Sequence, residues 1–261
     1  MRALPGMAVL LLGACGQQSA VAPPVDNAVL QAQRAQLAGL WVRTDDVGSG
    51  NFGAMFASIK RPELLPAAQA IVTRHQMEKV EEERVLTQKS GGVYKVLPSC
   101  NPPGIIFMMQ HSGAFDIVLQ QDEVLIVPEH PGTQTIYLDG RPHPSLDHWT
   151  PLGNGHSVGH WEGAELVVST IGMRDDGDSV PGGGVFQPST ELVERFTLRD
   201  SQHLSIGYTW SDPQLYARPH SYTLTYAKQA ADSYAFESWC DVTDPLQAQS
   251  VVIPPQSKAV R

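Results

Sequence analysis

Glu191-Leu192-Val193-Glu194-Arg195-Phe196-Thr197-Leu198, then Arg199-Asp200-Ser201-Gln202, then Leu204-Ser205-Ile206-Gly207-Tyr208-Thr209-Trp210, is the stretch that decides the fold class. Leu192, Phe196 and Leu198 alternate with Val193, Arg195 and Thr197, a period of two that places every second side chain on one face of a strand. The polar break at 199–202 then reads as a short turn between two strands.

The same pattern extends in both directions. Phe115, Ile117 and Leu119 alternate with Asp116, Val118 and Gln120, and a polar group at 120–123 leads into the apolar run 124–127, which predicts a hairpin. Residues 133–138 form a further strand ending at Asp139-Gly140, a dipeptide suited to a tight turn. Strands at 156–161 and 164–171 flank Glu162-Gly163, and 221–226 and 234–239 complete the series. Upstream, residues 39–43 (Gly-Leu-Trp-Val-Arg) read as a first strand. Between that strand and the rest, Pro66 followed by Ala67, Ala68, Ile71, Val72 and His75 at helical spacing predicts one substantial helix over about 62–88. Its far end, 78–84, is charged and reads as solvated. Regular strands with short turns predict a mainly β chain, an antiparallel meander closing into a barrel, since closure removes edges that invite aggregation. Twenty Pro and 23 Gly suit such a fold better than a helical bundle. Residues 37–243 are expected to form this single domain. The run 175–188 has no periodicity and reads as a long loop, either a disordered surface loop or a lid over the barrel mouth. Residues 244–261, with Pro254-Pro255, read as a disordered tail.

At the start, Arg2, the apolar run 7–12 and Leu11-Leu12-Gly13-Ala14-Cys15 resemble the lipobox of a bacterial lipoprotein signal peptide. The apolar run is far short of the roughly 20 residues a spanning helix needs. The resemblance implies that residues 1–14 are removed, that Cys15 is lipidated, and that several acyl chains anchor the protein firmly to a membrane. An ordinary secretory signal with an incidental cysteine is the alternative, and it too places the domain outside the cytoplasm. Residues 15–36, with Pro23-Pro24 and little periodicity, read as a lipidated tether. Gly16 after the cysteine, rather than aspartate, resembles the sorting signal for the periplasmic face of the outer membrane. The formal charge of −9 and the lack of any Lys/Arg-rich run leave no nucleic-acid footprint.

Gly39-Leu40-Trp41 resembles the opening strand of lipocalin-like (calycin-like) barrels. Tyr137-Leu138-Asp139-Gly140-Arg141-Pro142-His143-Pro144, Trp149, Gly155-His156-Ser157-Val158-Gly159 and Trp161-Glu162-Gly163 resemble a widespread family of uncharacterised proteobacterial and acidobacterial secreted proteins. So do Cys100-Asn101-Pro102-Pro103-Gly104, residues 193–196 and Trp239-Cys240. This chain departs from that pattern at His160 and Ala164. The family resemblance implies no reaction, but it supports a disulfide between Cys100 and Cys240, which an oxidising compartment allows; two separate buried thiols are the other reading.

Chemistry is best sought among carboxylates and histidines. Glu194 shares its face with Leu192, Phe196 and Leu198, so alternation points an acid toward the core, where it needs a partner or its pKa rises. Arg141, His143 and His156 from the family block, and Glu129 after the 124–127 strand, are its candidate companions. Read functionally, Glu194 or Glu129 is a general base, His143 or His156 transfers protons, and Arg141 holds an oxygen of the substrate. Read structurally, Glu194 and Arg141 are a buried ion pair and the histidines bond to backbone. No metal site is expected: His156 and His160, four apart on a strand, lie about 13 Å apart, and no His-Glu-x-x-His pattern exists. Gly155-His156-Ser157-Val158-Gly159 matches the letters of a nucleophile elbow without its strand-to-helix context, and no cofactor fingerprint is present. Two functions follow. One is a lipid-anchored barrel that binds a small, partly apolar molecule, since a barrel of eight to ten strands has room for one. The other is a periplasmic lyase or isomerase working by proton transfer inside the barrel.

Overall fold

The computed structural model describes residues 27–44, 59–89, 114–129, 132–174, 180 and 182–234. The lipobox, Cys15, Cys100, Cys240 and the tail lie outside the described residues, as do residues 235–239 of the last expected strand.

Nine strands close into one barrel in chain order: β1 (Gly39–Arg43), β2 (Ala114–Leu119), β3 (Glu123–Pro128), β4 (Gln134–Tyr137), β5 (His156–Glu162), β6 (Glu165–Ile171), β7 (Glu191–Leu198), β8 (His203–Ser211) and β9 (His220–Lys228). Helix α1 (Asn27–Ala35) precedes β1, and α2 (Pro66–Lys89) lies between β1 and β2. The mainly β, closed-barrel expectation holds, with a helix between the first strand and the rest. The purely antiparallel meander does not, because β4 pairs with β5 in parallel. The chain leaves β4 at one end of the barrel and runs outside the wall through residues 138–155. It then re-enters β5 from the end at which β4 began, so the two strands point the same way. Eight antiparallel pairings complete the ring, including β1 with β9.

The strands bury the faces their alternation assigns. Trp41, Phe115, Ile126, Ile136, Val168 and Phe196 all lie inside the barrel and are essentially solvent-free. Successive inward positions at one-residue alternation make this core continuous around the ring.

Both ends are closed by chain. At the end where β1 starts, Leu37 is buried and its carbonyl accepts the indole N–H of Trp41 at 2.9 Å. There, α1 occupies part of the stretch read as a coiled tether. Arg34 donates to the Gly163 carbonyl at 2.9 Å and covers the Trp161 ring, holding the helix across the β5–β6 turn.

The opposite end, where β1 ends, is stoppered by part of the segment read as a loop. Val180, Val185 and Phe186 are buried, and Phe186 packs on Trp210 with ring centroids 5.8 Å apart. Tyr216 fixes this stopper by accepting the Val185 N–H at 3.1 Å and donating its hydroxyl to the Val185 carbonyl. Asp212, itself buried, accepts from Gln187 Nε2 at 3.0 Å, Ser189 Oγ at 3.2 Å and Thr190 Oγ1 at 3.0 Å. The described part of 175–188 is therefore neither a disordered loop nor a free lid; three apolar side chains and one buried carboxylate make it part of the core. Helix α2 starts beside it: the Leu65 N–H bonds to the Leu215 carbonyl at 2.8 Å, and Ala68 is fully buried.

Candidate functional site

The parallel pairing is short. Only Ile136 with Ser157 and Tyr137 with Val158 are in register, and toward the stoppered end β4 and β5 part. A cavity of about 440 Å³ opens there, lined among others by Tyr137, Trp149, Leu152, Asn154, His156 and Arg174. Trp149 is held in its wall by donating its indole N–H to the Gly172 carbonyl at 2.9 Å. Its ring meets His156 edge-on at 5.7 Å between centroids, and Tyr137 lies tilted against the same imidazole at 5.4 Å. The Tyr137 and Trp149 rings and Leu152 make the walls largely apolar, while His156, Asn154 and Arg174 add polar groups.

The five residues singled out from sequence do not converge: Glu194 lies inside the barrel, His143 and His156 meet on the outer face of its wall, and Arg141 and Glu129 lie apart from both. Glu194 points inward and is fully buried, as its alternation requires. Its Oε2 accepts from Gln134 Nε2 at 3.1 Å, and the same amide nitrogen reaches Ser157 Oγ at 3.0 Å. Ser157 is joined in turn to Thr170 Oγ1 at 2.8 Å. Gln134 and Ser157 border the cavity, so this polar cluster forms its inner backing. Glu194 Oε1 and Gln134 Oε1 are buried and have no hydrogen-bond partner among the described residues. Removal from water pushes the Glu194 carboxyl up to about 7, with the Gln134 bond pulling weakly the other way.

Arg141 is not the partner of Glu194. It lies on the surface, where its guanidinium pairs with Asp139 two residues earlier and stacks over Tyr137 at 3.8 Å, because the turn at Gly140 folds it back along its own chain. In place of the buried Glu194–Arg141 ion pair expected from sequence, Glu194 accepts from the neutral Gln134 amide. The Arg141 guanidinium beside Asp139 holds the Asp139 carboxyl down at about 2. Glu129 sits at the rim after β3, with its backbone N–H on the Ala114 carbonyl at 3.0 Å, and is not part of the cavity wall.

His143 and His156 come together on the outer face. Their Nδ1 atoms are 3.0 Å apart, and the rings meet edge to face at 5.2 Å. The other nitrogen of His143, Nε2, is 3.0 Å from Ser169 Oγ, which donates to Glu191 Oε1 at 2.7 Å. Rather than bonding to backbone, the two histidines thus belong to a chain of four side chains that runs along β7, β6 and the outer segment to the cavity wall. Burial lowers the pKa of both imidazoles; for His143 the neighbouring His156 adds to this while Glu191 opposes it, and for His156 the Arg141 charge adds to it. Both rings are therefore biased toward the neutral form.

Sequence reasoning missed Gln134, Ser157, Thr170, Ser169 and Glu191. The signal for Gln134 and Ser157 was present, since Gln134 alternates with inward Ile136 and Ser157 is its neighbour across the seam. Ser169 and Glu191 occupy outward positions whose only cue is register across three strands. Among the described residues no group of three or more His, Cys, Asp or Glu side chains is placed to hold a metal ion.

No protein-family model matches the chain, and neither a curated protein nor a solved structure does so.

Proposed function

We propose that this chain is a lipid-anchored protein, held through Cys15 at the periplasmic face of the outer membrane, whose barrel takes up a small, partly apolar molecule beside the β4–β5 seam. The cavity at that seam carries the reading. Its volume of about 440 Å³ is that of a small-ligand site, and its mixture of aromatic walls with a few polar groups is what such sites use for grip and orientation. Native mass spectrometry of protein purified from its own envelope tests it: the expected result is a retained small molecule that Trp149→Ala releases. A ligand-free wild-type protein overturns the reading. The anchor is tested separately, since Cys15→Ser should move the protein from the detergent phase to the aqueous phase, and no movement overturns lipidation. Non-reducing peptide mapping should find Cys100 joined to Cys240, and two free thiols would overturn that pairing.

The alternative, a lyase or isomerase working by proton transfer, is supported by one observation, the contact of His143 with His156 at the cavity wall. Its carboxylate and histidines would act across the barrel wall, not together inside it.

A further inference from the structure

We propose that His156 is a general base facing the seam cavity, poised by a relay through His143 and Ser169 to Glu191, and that it removes a proton from a small planar molecule bearing an acidic C–H. This rests on the cavity being a ligand site. The hydrogen-bond polarity of the chain carries the argument. A carboxylate only accepts, so Ser169 gives its single proton to Glu191. Ser169 Oγ must then accept from His143, which fixes the proton of neutral His143 on Nε2. His143 Nδ1 is consequently an acceptor, and the 3.0 Å contact requires His156 to donate from its own Nδ1. The lone pair of neutral His156 is thereby placed on Nε2. No described group hydrogen-bonds to that nitrogen, and His156 is among the residues that line the cavity.

The groups around it suit one class of chemistry. Tyr137 lies tilted against the imidazole and Trp149 meets it edge-on, so aromatic faces border the place where a flat molecule would sit, and Arg174 lies in the same cavity wall. When the C–H bond breaks, its proton goes to His156 Nε2 and its electron pair stays on the ligand or expels a leaving group. The Nδ1 proton of His156 then crosses to His143 Nδ1. His156 ends neutral, and the imidazolium resides on His143, which faces Glu191 through Ser169. Burial disfavours the cation on both rings; Arg141 adds to this at His156, whereas Glu191 opposes it at His143 and so helps that ring to take up the charge. His156 is the catalytic residue; His143, Ser169 and Glu191 are positioning residues.

Nitrobenzisoxazole is the test probe, a flat carbon acid that opens to a coloured phenolate when a base takes its C–H proton, forming the nitrile as the N–O bond breaks. Binding is read by quenching of tryptophan emission that is lost in Trp149→Phe. Turnover by the full chain should rise with pH through an inflection below the ordinary imidazole value of 6.5. His156→Gln should bind the probe yet lose about a hundredfold or more of the turnover. Glu191→Gln keeps an acceptor for Ser169 but removes the negative charge, so the inflection should move to lower pH. This second variant leaves His156 in place and reads the relay even if the first fails to fold. His203→Gln, at the opposite end of the barrel, should behave as wild type. Probe that binds but is turned over equally by wild type and His156→Gln overturns the proposed base and leaves the binding site standing. Equal inflections in wild type and Glu191→Gln overturn the relay, and absence of quenching overturns the base together with the binding site.

Discussion

Gln134 donates its amide N–H to Glu194 Oε2 at 3.1 Å inside the barrel, and among the described residues this one neutral group is the sole hydrogen-bond donor to a fully buried carboxylate. A single neutral hydrogen bond does not offset removal of a charge from water. The carboxyl therefore holds its proton up to about 7, against 4.5 for an ordinary glutamate. The sign follows from proton counts. Between these values the folded protein binds a proton that the unfolded chain has released, so stability falls as pH rises. The full cost of about 3 kcal/mol is present above the folded value and absent below 4.5. Glu194→Gln should remove this slope and exceed wild type in urea resistance at alkaline pH, while matching it in acid. Equal stability of the two proteins at high pH would show that an unrecognised cation compensates the charge.

Asp212→Ala should loosen the stopper without opening the barrel wall. The substitution leaves Gln187, Ser189 and Thr190 without their shared acceptor, and each bond to a charged group is worth about 2 kcal/mol with strong non-additivity. A net loss of about 3 kcal/mol is expected in urea unfolding. Hydrogen exchange should accelerate in 182–190 more than in β6 or β7. Uniform acceleration across the barrel would refute a local role.

Strand character was legible because it is written in nearest-neighbour alternation: β1 and β7 begin and end where the sequence places them, and Glu194 faces inward as its companions require. Direction is not written locally. Nothing in residues 133–138 or 156–161 says that they run parallel, since that depends on the path of the chain between them. The stopper was obscured by composition. Val180, Val185 and Phe186 are set among Asp, Gly and Pro, and three apolar side chains without a period give no secondary-structure signal although they bury like any core residues. Arg141, His143 and His156 were recognisable as one block, but a histidine on an outward position and a glutamate on an inward one meet opposite sides of a wall whose register only the fold defines.

Gly172→Ala should damage the cavity through Trp149. Gly172 has φ +71°, and a Cβ there would come within 2.4 Å of the Trp149 indole nitrogen. The left-handed backbone alone costs an alanine about 1 kcal/mol, and the ring must also leave its hydrogen bond to the Gly172 carbonyl. A loss of about 2 kcal/mol is expected, with a red shift of tryptophan emission and weaker binding of nitrobenzisoxazole. Unchanged emission would mean that Trp149 is not held by this contact.

Arg34→Ala should release helix α1 from the barrel. Nine residues are too few for a helix to persist alone in water, and none of its own side chains is buried, so α1 depends on what docks it. Arg34 supplies both a hydrogen bond to the Gly163 carbonyl and a cation over the Trp161 ring, together about 1 kcal/mol at an exposed site. Lys228 Nζ on the Gln36 carbonyl at 2.6 Å pins the chain just after the helix and is untouched by the substitution. The loss should therefore be local: faster hydrogen exchange over 28–35, little change at 40–43, and an urea midpoint within error of wild type. A lowered midpoint with uniform exchange would instead make α1 part of the cooperative barrel.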